Sequence, residues 1–271
     1  MGKTDFKQLV SVEMRFVYAD VFRRKSLLLM LVLWPYMITG FVLIVGSAVG
    51  NPQAFASRVG VDPAPFFIVS SFILMSTFVV LDDIMWKPIF DEEVGTMPYI
   101  VSSPVNRLMY YIAIPLPRLT LSVVIGLTSV VPVLTLYWGF EGFITSALVL
   151  LLGIFSALTF SPLATSVAMA TYTYSGESWR LMNVLRPLLM VLVGVYYPRW
   201  VMPIAMYVVT ALIPPSNSVE LIQRLLAGIA TVERSLMLLG VATALAVAYL
   251  PLTKLSVLRW ERSKLKEGVK V

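Results

Sequence analysis

The chain has 271 residues, 58% of them hydrophobic and 13% charged, with a mean hydropathy of +0.85, so it carries far more apolar surface than one soluble core can bury. Cysteine and histidine are both absent, which excludes disulfides, thiolate nucleophiles, imidazole bases and the usual zinc or haem ligand sets. The formal net charge of +6 is read here as membrane topology and not as nucleic-acid binding, because in an integral membrane protein the placement of Lys and Arg counts for more than their sum.

Residues 1–26 hold Lys3, Lys7, Arg15, Arg23, Arg24 and Lys25. This charged region is too long for a cleavable signal peptide, and no small-residue cleavage site follows the apolar run behind it. At helical spacing Phe6, Leu9, Val10, Met14, Val17 and Val21 share one face, opposite Gln8, Ser11 and Arg15. That pattern fits a helix lying in the membrane interface, or one packed on the protein's own cytoplasmic surface, with Glu13 and Asp20 interrupting the apolar face. Residues 27–45 then form an apolar run long enough to span a hydrocarbon core. Residues 46–64, with Asn51-Pro52 and Asp62-Pro63, read as a loop, and residues 65–86 as the second span. Asp82 and Asp83 stand near its far end, where they mark either a proton or ion site or, as preferred here, a solvated helix end.

Between the second and third spans, residues 87–107 include Asp91, Glu92, Glu93, Gly95, Thr96, Met97, Tyr99, Ser103, Pro104 and Arg107. Gly95 allows a turn, Thr96 suits an N-cap, Pro98 is tolerated in a first turn because its missing donor would be unpaired there, and Pro104 is a stop. The spacing predicts a helix of about two turns over residues 97–103, with acids at its N-terminal side where the helix dipole favours them. Local chemistry alone also allows an ordinary polar loop.

Residues 109–138 read as a third span interrupted by Pro115, Pro117 and Pro132; 139–142 as a tight turn; and 143–171 as a fourth span. These prolines kink helices and free carbonyls that neighbours must satisfy. A polar stretch over 172–186 precedes a fifth span, from residue 178 or 186 to 197. Residues 200–213 are apolar for only about 14 residues, roughly 21 Å of helix against a core near 30 Å, so they enter the membrane and return. A second short helix over 218–226, capped by Asn217 or Ser218, a sixth span over 236–258 and a basic polar tail over 259–271 complete the chain.

Charge tests this layout. With six spans and both termini inside, only Arg58, Arg199, Arg224 and Arg234 of the 21 Lys and Arg lie outside, leaving 17 inside as the positive-inside rule asks. Counting residues 200–213 as a seventh span would send the six basic residues from Lys254 onward to the wrong side. The expected fold is thus an all-α integral membrane protein: a helix in residues 1–26, six spans in 27–258, a surface helix in 87–107, a re-entrant pair in 198–227 and a tail in 259–271.

Glu93, Gly95-Thr96, Ser103-Pro104-Val105 and Arg107, placed between the second and third spans, resemble the signature of type-2 ATP-binding-cassette permeases. One departure is Met97-Pro98 where that family usually has Leu-Glu, from which a displaced helix start is expected. The resemblance implies that residues 87–107 form a coupling helix seated in a groove of a separate ATPase subunit, with Asp91 to Arg107 as its contact set. It also implies an interfacial N-terminal helix, and re-entrant helices on the outer face whose gate would include Tyr197, Pro198, Pro203, Pro214, Pro215 and Glu220. The partners implied are two ATPase subunits, which bind ATP and Mg, and a second permease chain, identical or different, with a substrate route at the permease interface lined by the second and fifth spans.

The chain has no G-x-x-x-x-G-K-[ST] loop and no cofactor site of its own, so energy for transport must come from a partner. The expectation is a non-enzymatic permease of the cell membrane, both termini cytoplasmic, exporting an amphiphilic drug-like or lipid-like molecule. A polysaccharide or glycolipid exporter of the same superfamily and an ATPase-independent secondary transporter built around Asp82 and Asp83 are the alternatives.

Overall fold

The computed structural model describes residues 6–49, 51–103, 105–174 and 178–267. Among these the fold is all-helical, without strands. Helix α1 (Phe6–Val17) runs on through a π-turn (Tyr18–Phe22), followed by α2 (Lys25–Val49), α3 (Pro52–Val59), α4 (Pro63–Glu93), α5 (Met97–Ser102), α6 (Arg107–Ala113) and α7 (Pro115–Tyr174). Then come α8 (Ser178–Leu192), a 3-10 turn (Arg199–Val201), α9 (Ile204–Ala211), α10 (Pro214–Leu226) and α11 (Val232–Glu267). Four helical stretches are long and apolar enough to cross a membrane: Lys25–Ala48, Pro63–Glu93, Arg107–Thr173 and Val232–Lys266, which fits a multi-pass membrane protein.

The third stretch is folded back on itself. Gly139, at φ +58° and ψ −133°, leaves helical backbone, and at Gly142 a Cβ would lie only 2.0 Å from the Leu134 carbonyl oxygen. Only glycine permits so tight a reversal. The arms, residues 115–138 and 140–174, then pack side by side: a Cβ on Gly126 would meet the Leu150 side chain at 2.1 Å. The Phe72 ring fills the notch left by Gly126 and Gly153, and Thr77 and Ser156 hydroxyls meet at 3.4 Å. Small residues that let helices approach closely are how apolar helices associate where lipid is as oily as they are.

Phe72 belongs to α4, the hub of the molecule. In its most apolar stretch 94% of residues are buried inside the chain, against 11% for α2 and 17% for α11. Helix α4 is wrapped by α2, α7, α8 and α10 of its own chain. Pro132 shows how a proline break is tolerated. It cannot donate to the carbonyl of Thr128, and the Tyr36 hydroxyl of α2 donates to that oxygen at 2.5 Å.

Several boundaries differ from the sequence reading. The 46–64 loop contains α3, capped by Asn51, whose side chain accepts from the Gln53 N–H at 2.9 Å. The fifth span is helical only from Ser178 to Leu192, about 22 Å, because Gly194 at φ +81° ends it. The non-helical backbone beyond is buried, and Gln223 Nε2 donates to the Gly194 carbonyl at 2.9 Å. Helix α10 starts at Pro214, not at Ser218, so Asn217 and Ser218 lie inside it and cap nothing; the two prolines occupy its first turn, where no donor is needed. Helix α11 carries on through the basic tail to Glu267.

Candidate functional site

Helix α4 runs about 45 Å, and polar networks gather at its two ends. At its C-terminal end Gly95, at φ +75°, makes a Schellman stop: the Thr96 N–H donates to the Asp91 carbonyl at 2.9 Å and the Gly95 N–H to Glu92 at 3.2 Å. Asp91, Glu92 and Glu93 are therefore the last turn of α4, not a leader to α5. There they oppose the helix dipole, and cations answer them: Lys87 lies 3.3 Å from Asp91, and Lys264 of α11 pairs with Glu92.

Helix α5 follows at once, Met97 to Ser102. Thr96 holds the N-cap position in near-helical backbone, but it does not cap: its hydroxyl donates to Asp91 Oδ1 at 2.9 Å instead of accepting from the turn. Asp91 also accepts from the Tyr110 hydroxyl at 3.2 Å, so one buried carboxylate fixes the start of α5 to α4 and α6. Arg107 fixes the other end. Its guanidinium donates to the carbonyls of Val101 (2.6 Å), Ser103 (2.9 Å) and Val105 (2.9 Å), orphans of the helix end, and to Glu261 of α11 at 3.2 Å. Met97 and Val101 face inward, whereas Glu92, Glu93, Val94, Tyr99 and Ser102 face out, Tyr99 being 76% exposed.

The predicted contact set thus divides. Asp91, Thr96, Met97, Ser103 and Arg107 build the platform, and Glu92, Glu93, Gly95 and Tyr99 lie on its free face. Pro104 lies outside the described residues. Sequence reasoning missed Val94 and Ser102 on that face, and Lys87, Tyr110, Glu261 and Lys264 beneath it.

Beside the platform, a cavity of about 260 Å³ opens between α1, α4 and α7. Asp82 and Asp83 face it, and neither stands at the end of its helix, though the Asp82 side chain is 30% exposed. Helix α4 continues well past them, Asp83 is buried, and Arg118 lies 2.5 Å from it and 3.1 Å from Asp20, while Arg186 holds Asp82 at 2.9 Å. Glu13 of α1 is buried 3.5 Å from Lys87; burial pushes its carboxyl above the ordinary value, and Lys87 only partly offsets this. These pairs strap α1 to the bundle, so Glu13 and Asp20, which spoil its apolar stripe, point at the protein. Acids and bases alternate along this latch, Lys87 serving both Glu13 and Asp91 and Arg118 both Asp20 and Asp83.

At the opposite end, α9 and α10 form a hairpin: Ser216 Oγ donates to the Thr210 carbonyl and Asn217 Nδ2 to Ala211 at 3.0 Å. Glu220, fully buried, is its centre. Arg199 (3.1 Å), Arg224 (2.8 Å) and Arg234 of α11 (3.1 Å) surround the carboxylate, and the Tyr207 hydroxyl donates at 3.0 Å. Burial alone would raise the Glu220 pKa; Arg199 and the hydrogen bonds from Arg224, Arg234 and Tyr207 outweigh it and hold it below the ordinary value. Of the predicted gate, Pro214 and Pro215 are buried at the start of α10, Pro203 precedes α9, Pro198 precedes the 3-10 turn, and Tyr197 donates to the Val191 carbonyl at 3.1 Å. The cluster joins Glu220 to three arginines that sequence reading placed on one side of the membrane but not together. Among the described residues no group of His, Cys, Asp or Glu could hold a metal ion. Comparison of the chain with protein-family models, with curated proteins and with solved structures finds no match.

Proposed function

We propose that this chain is the permease subunit of an ATP-driven exporter. Two such chains would sit above two ATPase subunits, which bind ATP and Mg, and move an amphiphilic drug-like or lipid-like molecule out of the cytoplasm. The observation that carries the reading is the build of α5: a two-turn helix, pinned at both ends by buried charges to α4, α6 and α11, that leaves Tyr99 and Glu93 free. A rigid lever joined to membrane-crossing helices can pass on a push that a loop would absorb. The six-span reading supports it by adding the folded α7, counted twice, and α8, counted as a crossing completed by the buried chain after Leu192. Both termini then lie inside with α5.

The test has two parts. Purification from native membranes in mild detergent should bring an ATPase subunit with the chain in equal amount; a lone chain under conditions that preserve control transporters would sink the proposal. Gly95→Pro cannot adopt φ +75° and loses the N–H to Glu92, at a local cost of about 3 kcal/mol. It should abolish the coupling of ATP hydrolysis to transport, whereas Gly95→Asn, which tolerates the left-handed region, should keep most of it.

One observation favours a second reading, a secondary transporter: Asp83 is a buried carboxylate beside a cavity. Replacing Asp82 and Asp83 with Asn separates the two. Transport that largely survives, the expected result, assigns them to the latch; loss of transport in a correctly assembled protein would favour ion coupling.

A further inference from the structure

The charge around Glu220 does not balance. Arg199, Arg224 and Arg234 bring three positive charges and Glu220 one negative, and Tyr207, Thr210, Ser216 and Asn217 supply only neutral dipoles. Guanidinium stays protonated in proteins, and Glu220 is held in its charged form, so the cluster carries a surplus of two. Glu233, next in the chain to Arg234, is exposed and makes no ion pair among the described residues. Arg199 is fully buried and committed to the hairpin. Arg224 and Arg234 are not: their side chains are 19% and 29% exposed, and Arg224 spends only Nε on Glu220, its terminal amines making no hydrogen bond among the described residues. Trp200 stacks on Arg224, its ring centroid 5.2 Å from Cζ.

Beside this surplus lie α9 and the residues flanking it, whose outer face is apolar and bare: Ile204 is 84% exposed, and Val208 and Val209 of α9 and the flanking Val201 and Leu212 more than half. An apolar strip flanked by Trp200, Tyr207 and two partly exposed guanidiniums is what the boundary between acyl chains and headgroups selects.

We propose that Arg224 and Arg234 bind the phosphate of an anionic phospholipid whose acyl chains lie along α9. A phosphate oxygen pair would take the terminal amines of Arg224 as a fork, and its charge would offset the surplus. Only the membrane setting is needed; the inference stands or falls apart from any ATPase.

The test is thermal unfolding of the purified full chain in detergent, titrated with phosphatidylglycerol, with phosphatidylcholine and with inorganic phosphate. Phosphatidylglycerol should raise the midpoint and the other two should not. Arg224→Gln should weaken the apparent affinity for phosphatidylglycerol about five-fold, and Arg224→Gln with Arg234→Gln about 25-fold, at roughly a five-fold loss for each basic residue at a charged membrane surface. Arg224→Lys should restore most of the single loss, and Arg259→Gln with Arg262→Gln, at the other end of α11, should leave affinity within about two-fold. An equal response to phosphatidylcholine would overturn the proposal, as would a response reproduced by inorganic phosphate, which would make this a free-anion site. So would an equal loss in the Arg259 and Arg262 variant. Should the double variant not fold, Arg224→Gln alone, counted for retained lipid by native mass spectrometry, decides by the same criteria.

Discussion

Glu220 shows what a single residue can be asked to do. It pairs with guanidiniums from the 3-10 turn, α10 and α11, so removing its charge leaves three cations converging on a buried site with no counter-charge from Glu220. Glu220→Gln should destabilise the chain by about 3–5 kcal/mol, the usual cost of breaking a buried ion pair from one side. The pH dependence follows from the sign of the shift. The folded pKa lies below the ordinary 4.5, so this stabilisation is whole above 4.5 and fades only as pH falls from there towards the depressed value. The melting midpoint in detergent should show no pH dependence from Glu220 between pH 5 and 7, then fall more steeply in the parent below about pH 4.5 than in Glu220→Gln. Glu220 stands out in the sequence as an acid in an apolar neighbourhood, but nothing there announces that Arg199 and Arg234, 21 residues before it and 14 after it, converge on it.

At the scale of the element, α5 separates the residues that hold a helix from those it offers. Arg107→Ala would leave the Val101 and Ser103 carbonyls unpaired and Glu261 without its cation, for a loss of about 1–3 kcal/mol. Its midpoint should drop and coupling should fail with it. Tyr99→Ala touches only the exposed face, so the midpoint should stay within about 0.5 kcal/mol of the parent while retention of an ATPase subunit weakens. Equal drops in both variants would mean that Tyr99 also serves the fold. The position of α5 was legible in the turn residues Gly95 and Thr96 and in Pro98, and the helix spans Met97–Ser102 against a predicted 97–103. What was not legible is the role of Thr96. Asp91 competes for its hydroxyl, and that competition exists only because α4 continues to Glu93 and carries the carboxylate to within reach.

For the whole molecule, α4 is a core helix in a protein whose other long helices show much of their apolar surface to the surroundings. The notch that receives Phe72 tests this arrangement. Gly153→Leu would drive a side chain into the Phe72 ring, which already lies 2.5 Å from where a Cβ would stand. It should cost about 1–3 kcal/mol, and Phe72→Leu in the same chain should recover part of it. A neutral Gly153→Leu would show that the folded-back α7 packs on α4 differently.

By itself the sequence determined that the chain is helical, where most helices begin, and that several of them suit a membrane, because apolar runs, glycine turns and prolines act locally. It did not determine which helix is central. In water, apolar means buried; in a bilayer, a side chain facing lipid and one facing a neighbouring helix are equally apolar, so α2 and α4 read alike while one is 11% and the other 94% buried. The polar contacts were hidden for a related reason. Arg107 and Glu261 lie 154 residues apart, and Arg118 reaches Asp20 across 98. No local pattern encodes such pairs; only the packing of α4 between the arms of α7, which brings the ends of distant helices together, decides them.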